Sequence, residues 1–401
     1  MKKILALSLA VLLALSINIK EVEAAEYNVN RLEGSSRIET SIEISKRAYA
    51  YSSTVLLTGY KGQVDALSGT LLARVKDAPI LITNKEDLSS EVLKEIRRLG
   101  ATEIIILGGE NAVSKKVEES LIGFKIERIE GSNREQTAVN IAKKSLGANV
   151  NEVFLALGYE EYADALAIGP VSGSRRIPIY LTQTKKLPQV TIDALKASNV
   201  QKVNIIGGNT VISPQIEQTI KSMNIQVERI SGPAREETAI AIAKKFNPGM
   251  KNLVLANGYK YADAVVGGYF TSKMEASILL TQDSKMKIEN YEFIQENKKD
   301  LFILGGLTSV SSLLEKDLRD IVERGVTVKE EEHTFIEPFE TITKTVENLA
   351  TGERKVIREG IDGSRLSRDR IYFKGGLQIK RINLFNKITK EAVDQIVHIG
   401  K

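Results

Sequence analysis

From residue 36 onward the apolar positions fall first at helical and then at strand spacing. Ser36-Arg37-Ile38-Glu39 has the layout of a capping box, and Ile38 and Ile42 then share one helical face. Residues 54–58 form a short apolar run, the pattern of a buried strand. Asp65 opens another helix with Leu67, Leu71 and Val75 inward, and residues 79–83 read as a second strand. Ser89 or Ser90 caps a helix carrying Val92, Ile96 and Leu99. Residues 104–107 are continuously apolar, as expected where helices cover both faces of a parallel sheet. Ser114 caps a further helix, and residues 124–129 make a last strand. Such alternation predicts an α/β unit, doubly wound around a mainly parallel sheet.

This pattern occurs three times. One block reads RLEGSSRIETS from Arg31, RIEGSNREQTA from Arg128 and RISGPAREETA from Arg229. A second reads VLLTGYKGQVDAL from Val55, VFLALGYEEYADAL from Val153 and LVLANGYKYADAV from Leu253. A third reads IIILGGENAVS from Ile104, VNIIGGNTVIS from Val203 and LFILGGLTSVS from Leu301. Short LIT, YLT and LLT strings ending at Thr83, Thr182 and Thr281 lie between the second and third blocks. The first-block glycine stands at 34, 131 and 232, a period of roughly 100 residues that is domain-sized. The expected modules are 28–127, 128–228 and 229–326. Beyond them, residues 327–401 change texture: helical periodicity gives way to alternating Thr, Val, Ile and Glu with glycine turns, which predicts an elongated all-β domain.

Composition narrows the chemistry. Lys2 and Lys3, an apolar run and a small-residue site near Ala24 mark residues 1–24 as a secretory signal peptide, so the mature chain is expected to be exported, with no membrane association after cleavage. There is no cysteine, hence no disulfide, thiolate nucleophile or zinc–cysteine site. Only His333 and His398 are present, which excludes Ser/His/Asp catalysis within the repeats. A net charge of +5 dispersed over 56 basic and 51 acidic residues argues against nucleic-acid binding. No cofactor, metal or enzymatic activity is expected.

The repeated positions supply the candidate site. Gly108-Gly109, Gly207-Gly208 and Gly305-Gly306 each follow a buried strand at the carboxyl edge of the sheet, where open α/β folds bind ligands. They serve either as a close approach for a ligand or as tight turns. Arg37, Arg134 and Arg235 each sit in the first turn of a helix, against the macrodipole. Either an anionic ligand or an internal salt bridge to Asp65, Asp164 or Asp263 would offset that cost. Those aspartates also read as helix caps. Tyr60, Tyr159 and Tyr259 either stack on a sugar or close a turn.

Together the GSxR-type start, GY…DAL, LLT and ILGG strings resemble the cell-wall-binding repeat of the second type, in three tandem copies over roughly residues 28–326. The resemblance implies a pseudo-threefold assembly and non-covalent attachment to an anionic secondary wall polymer, with the ILGG element important. The third copy departs from it: Pro233-Ala234 replaces the serine cap, its GY…D loop is one residue shorter, and Leu307 follows the glycines. Residues 327–401, with PFET, GERKVIREGIDG and AVDQIVHIG, resemble the five-glycine surface domain. That family implies adhesion or binding of a glycan containing N-acetylglucosamine; two separated histidines speak against zinc here. The expected function is anchoring of an exported protein to a Gram-positive wall. The alternatives are a carboxylate-dependent peptidoglycan hydrolase and a structural surface-layer or adhesive component.

Overall fold

The computed structural model describes residues 27–60, 63–159 and 162–401; the signal-peptide segment lies outside them. The elements begin with β1 (Val29–Leu32), α1 (Arg37–Ala48), β2 (Thr54–Gly59), α2 (Gln63–Lys76), β3 (Ile80–Thr83), α3 (Ser90–Arg98), β4 (Glu103–Leu107), α4 (Lys115–Ser120) and β5 (Lys125–Ile129). A second round gives α5 (Arg134–Leu146), β6 (Glu152–Leu157), α6 (Ala163–Arg175), β7 (Ile179–Thr182), α7 (Gln189–Ala197), β8 (Lys202–Ile206), α8 (Pro214–Lys221) and β9 (Gln226–Ile230). The third gives α9 (Arg235–Phe246), β10 (Asn252–Asn257), α10 (Ala262–Lys273), β11 (Ala276–Thr281), α11 (Ile288–Asn297), β12 (Asp300–Leu304) and α12 (Ser312–Val322). Then come β13 (Thr327–Glu337), β14 (Thr341–Val346), β15 (Arg354–Arg358), β16 (Gly363–Lys374), β17 (Leu377–Lys390) and β18 (Gln395–Gly400).

Three four-stranded parallel sheets result. Their orders are β3-β2-β4-β5 in the first module, β7-β6-β8-β9 in the second and β11-β10-β12-β1 in the third. The strands β2 and β11 are buried along their whole length, as the continuous apolar runs require. The capping boundaries follow the sequence closely. Ser36, Ser89, Ser114 and Ser311 cap α1, α3, α4 and α12 by accepting from the N–H three residues on. Ala234, at the third copy's divergent position, makes no such bond.

The sheets are offset from the sequence repeats. Each repeat's opening strand completes the preceding sheet, while the helix after it packs on the next one. The 127/128 division therefore falls inside β5, and β1 joins the third module's sheet by pairing with β12, Arg31 opposite Ile303. A strand that carries its apolar face into the preceding sheet and a helix that serves the following one tie consecutive modules together. β1 closes the set into a ring.

At the centre of this ring α2, α6 and α10 pack against one another. Close approach needs small residues, and the three copies differ so that one side chain fills what two glycines leave. Thr70 Oγ1 would lie 2.8 Å from a Cβ on Gly268 and 3.6 Å from one on Gly169. The third module continues into the C-terminal β domain, whose β13-β16-β17 and β14-β18-β15 sheets are mostly exposed. Their junction is buried and polar. Asp317 accepts from Tyr372 Oη at 2.8 Å and lies 3.3 Å from Lys380 Nζ, and Arg370 pairs with Glu330 at 2.6 Å.

Candidate functional site

Three clefts open where one module meets the next, with cavity volumes of about 660, 560 and 480 Å3, a range suited to small-ligand sites. Between the first and second modules, Asp65, Gly109 and Glu130 face Asn133, Arg134 and Tyr159. Between the second and third, Asp164 and Gly208 face Ala234, Arg235 and Tyr259. Ring closure makes the last cleft between the third and first modules, where Asp263 and Gly306 face Ser36 and Arg37. Every cleft thus joins a glycine turn and an aspartate of one module to the arginine of the next. The helix starts that face the clefts are those of α1, α5 and α9 on one side and of α2, α6 and α10 on the other. The helices following the glycine pairs begin beyond a further turn and do not line them.

The arginines are held by their own modules. The guanidinium carbon of Arg37 lies 3.8 Å from the Tyr60 ring centroid, with 4.4 Å for Arg134 on Tyr159 and 4.1 Å for Arg235 on Tyr259. Arg134 also donates to the Gly158 carbonyl, and Arg235 to that of Gly258 at 2.7 Å. Ring face and carbonyl offset the cost of a cation at a helix N-terminus. The facing charge is the preceding module's aspartate: Asp65 feels Arg134, Asp164 feels Arg235, and Asp263 feels Arg37. The tyrosines therefore carry arginines.

The aspartates do not cap. Asp65 sits inside α2, and the N-cap positions of α6 and α10 are Tyr162 and Tyr261. Their carboxylates turn instead toward the glycine pairs. A Cβ on Gly108, Gly207 or Gly305 would stand 2.4, 2.7 or 2.2 Å from Oδ2 of Asp65, Asp164 or Asp263. Burial pushes Asp65 and Asp164 up to about 6 and raises Asp263, while the facing arginines pull the other way.

The two glycines of each pair have different situations. Gly108, Gly207 and Gly305 are buried, with φ of +93°, +117° and +92°. Their N–H groups donate to the carbonyls of Ile129, Ile230 and Leu32, each at 2.9 Å. Their own carbonyls accept from Arg128, Arg229 and Arg31 at 2.9, 2.8 and 2.7 Å. Turn geometry and packing alone account for a glycine there. Gly109, Gly208 and Gly306 are half-buried and line the clefts, and among the described residues their N–H groups have no acceptor.

Sequence reasoning passed over several supporting residues. Thr40, Thr137 and Thr238 accept from the N–H of Gly34, Gly131 and Gly232 at 3.1, 3.0 and 3.0 Å, which stiffens the loop entering each cleft. A threonine six residues after each first-block glycine was the available signal. Arg128, Arg229 and Arg31 pair with Glu118, Glu217 and Glu315 at 2.6, 3.1 and 2.8 Å, which fixes the glycine turn from behind. Glu135 and Glu236, both buried, accept from Tyr159 and Tyr259 at 2.8 and 3.0 Å, where the first copy has Ile38.

Among the described residues no cluster of three or more His, Asp or Glu could hold a metal ion, and no helix is long and apolar enough to cross a membrane. The profile of cell wall binding domain 2 (CWB2) matches residues 31–118, 128–217 and 229–315, and that of the G5 domain matches 326–401. N-acetylmuramoyl-L-alanine amidase LytC of Bacillus subtilis is 32% identical over 74% of this chain and 59% of its own length. The amidase enhancer of the same organism is 30% identical over 73% of this chain and 40% of its length. Among solved structures, Cwp6 from Clostridium difficile superposes with a TM-score of 0.66 at 29% identity, over 71% of this chain and 46% of that one. The chain thus spans about 40 to 59% of the length of these relatives.

Proposed function

We propose that this chain, which belongs to the cell wall binding domain 2 family and ends in a G5 domain, attaches non-covalently to an anionic wall polysaccharide through the three clefts between its modules. It is a cell-wall surface protein, and the proposal concerns what it grips and where. One observation carries the reading: each seam sets a half-exposed glycine amide, without an acceptor among the described residues, opposite an arginine stacked on a tyrosine. An amide and a guanidinium converging on one cleft suit a phosphate or carboxylate on a sugar.

Triplication fits a repeating ligand. Once one cleft is engaged, the others meet the same polymer at high effective concentration, and avidity rises by about 10²–10⁴-fold. The G5 domain is read as a second glycan contact, for an N-acetylglucosamine-containing polymer, held in fixed orientation by the Asp317–Tyr372 junction. Co-sedimentation with purified walls, before and after mild acid removal of their anionic polymers, tests the reading. Retention should collapse after stripping; unchanged retention would refute it.

The LytC and amidase-enhancer relatives favour a second reading, a role in peptidoglycan cleavage. Sustained clearing of a wall suspension by the purified chain would establish that activity.

A further inference from the structure

We propose that the three clefts are not equivalent, and that the one between the third and first modules, around Arg37 and Lys260, is the principal seat of the polymer's anionic group. This rests on the polymer-binding reading and assigns it to one seam.

The clefts share a plan and differ in charge. In the first–second cleft Arg134 stands among Asp65, Glu110 and Glu130, with the Glu130 carboxylate 2.8 Å from where a Gly109 Cβ would be. An anion entering there meets carboxylates on the module-one wall. In the second–third cleft Asn209 and Ser231 stand where those two glutamates were, leaving Arg235 and Asp164. In the third–first cleft Leu307 takes the Glu110 position, Glu33 approaches Gly306, and Lys260, which donates to the Thr308 carbonyl and lies 3.8 Å from Asp283 Oδ2, adds a second cation. Hydroxyls of Ser35, Ser36, Thr308 and Ser309 complete that wall.

The arginines differ as well. Arg134 and Arg235 belong to stacks in which the tyrosine donates to a buried glutamate, Glu135 or Glu236, so negative charge already lies behind each. The first module has Ile38 at that position. Arg37 rests on Tyr60, and among the described residues its guanidinium makes no hydrogen bond, whereas Arg134 and Arg235 each donate to a backbone carbonyl. Its donors face an anion with the least competition from the protein. A cleft with two cations and several hydroxyls selects a phosphate or carboxylate borne on a saccharide.

The full chain is tested by co-sedimentation with purified walls, native and acid-stripped, alongside thermal unfolding. Arg37→Gln and Lys260→Gln should each lower retention on native walls by about fivefold or more, the loss of one charge-assisted contact, without changing the unfolding temperature. Arg134→Gln should change retention by less than about twofold. Glu110→Asn with Glu130→Ser, copying the second–third cleft, should raise it. Equal losses from Arg37→Gln and Arg134→Gln would overturn the assignment and leave the polymer reading standing. Retention indifferent both to these substitutions and to stripping would overturn the polymer reading itself. Inhibition by glycerol phosphate against inhibition by glucuronate separates a phosphodiester from a uronate source.

Discussion

Arg31 and Glu315 are 284 residues apart in the chain and form an ion pair of 2.8 Å, both side chains largely buried. Through this pair, and through Arg31 donating to the Gly305 carbonyl, the first strand of the chain holds the glycine turn of the third module. The corresponding pairs Arg128–Glu118 and Arg229–Glu217 are local, 10 and 12 residues apart. Replacing Arg31 by Met should therefore destabilise the third module by about 3 kcal/mol, the usual cost of breaking a buried pair. Hydrogen exchange at β12 should accelerate while β4 stays protected; uniform protection would contradict the ring closure.

Gly305→Ala and Gly208→Ala should behave oppositely. A methyl on Gly305 meets Asp263 Oδ2 at 2.2 Å and must tolerate φ of +92°, so a loss of roughly 2 kcal/mol or more is expected in denaturant titration. Gly208 has open space around its Cβ position and a half-exposed amide. Its substitution should leave stability within about 0.5 kcal/mol and weaken wall retention.

The cleft aspartates predict a pH dependence. Asp164 is pushed up to about 6 chiefly by burial, against its ordinary value of 3.8. A raised carboxylate favours the folded state below the unfolded value, and that contribution is lost as pH rises from about 4 through 6. Asp164→Asn should remove a destabilisation on the order of 2 kcal/mol at pH 7.5 and nearly nothing at pH 4. Thermal unfolding across that range checks it. Protonating Asp65 and Asp164 also makes their clefts less negative, so wall retention should strengthen between pH 7.5 and 5.5. Asp263, raised by burial in the third–first cleft, adds to that step, so the triple Asn variant at Asp65, Asp164 and Asp263 should lose it.

The joint to the G5 domain depends on Asp317, which is buried and accepts from Tyr372. Asp317→Ala leaves that hydroxyl and the Lys380 ammonium without their partner and should cost about 2 kcal/mol. A separate calorimetric transition for the β domain and a broadened small-angle scattering profile are expected. A single unchanged transition would show that the joint rests elsewhere.

Much was legible locally. Serine caps, apolar strand runs and the three glycine pairs are short-range signals, and the four-strand alternation follows from them. Which arginine meets which aspartate was not legible. Arg134 faces Asp65 across a seam because β5 belongs to one sheet and α5 to the next, and no local period encodes that offset. The aspartates read as caps because an acidic residue in a first turn has the same sequence signature whether it faces its own helix or a neighbouring turn.

The sequence by itself determined the elements, their threefold recurrence and the family to which the chain belongs, because spacing of apolar residues and turn chemistry act within a few residues. Only the tertiary structure decided that β1 completes the third sheet, that the first glycine of each pair is committed to packing, and that the clefts lie between modules. Those outcomes come from contacts between residues tens to hundreds of positions apart, where packing around the α2–α6–α10 axis sets what meets.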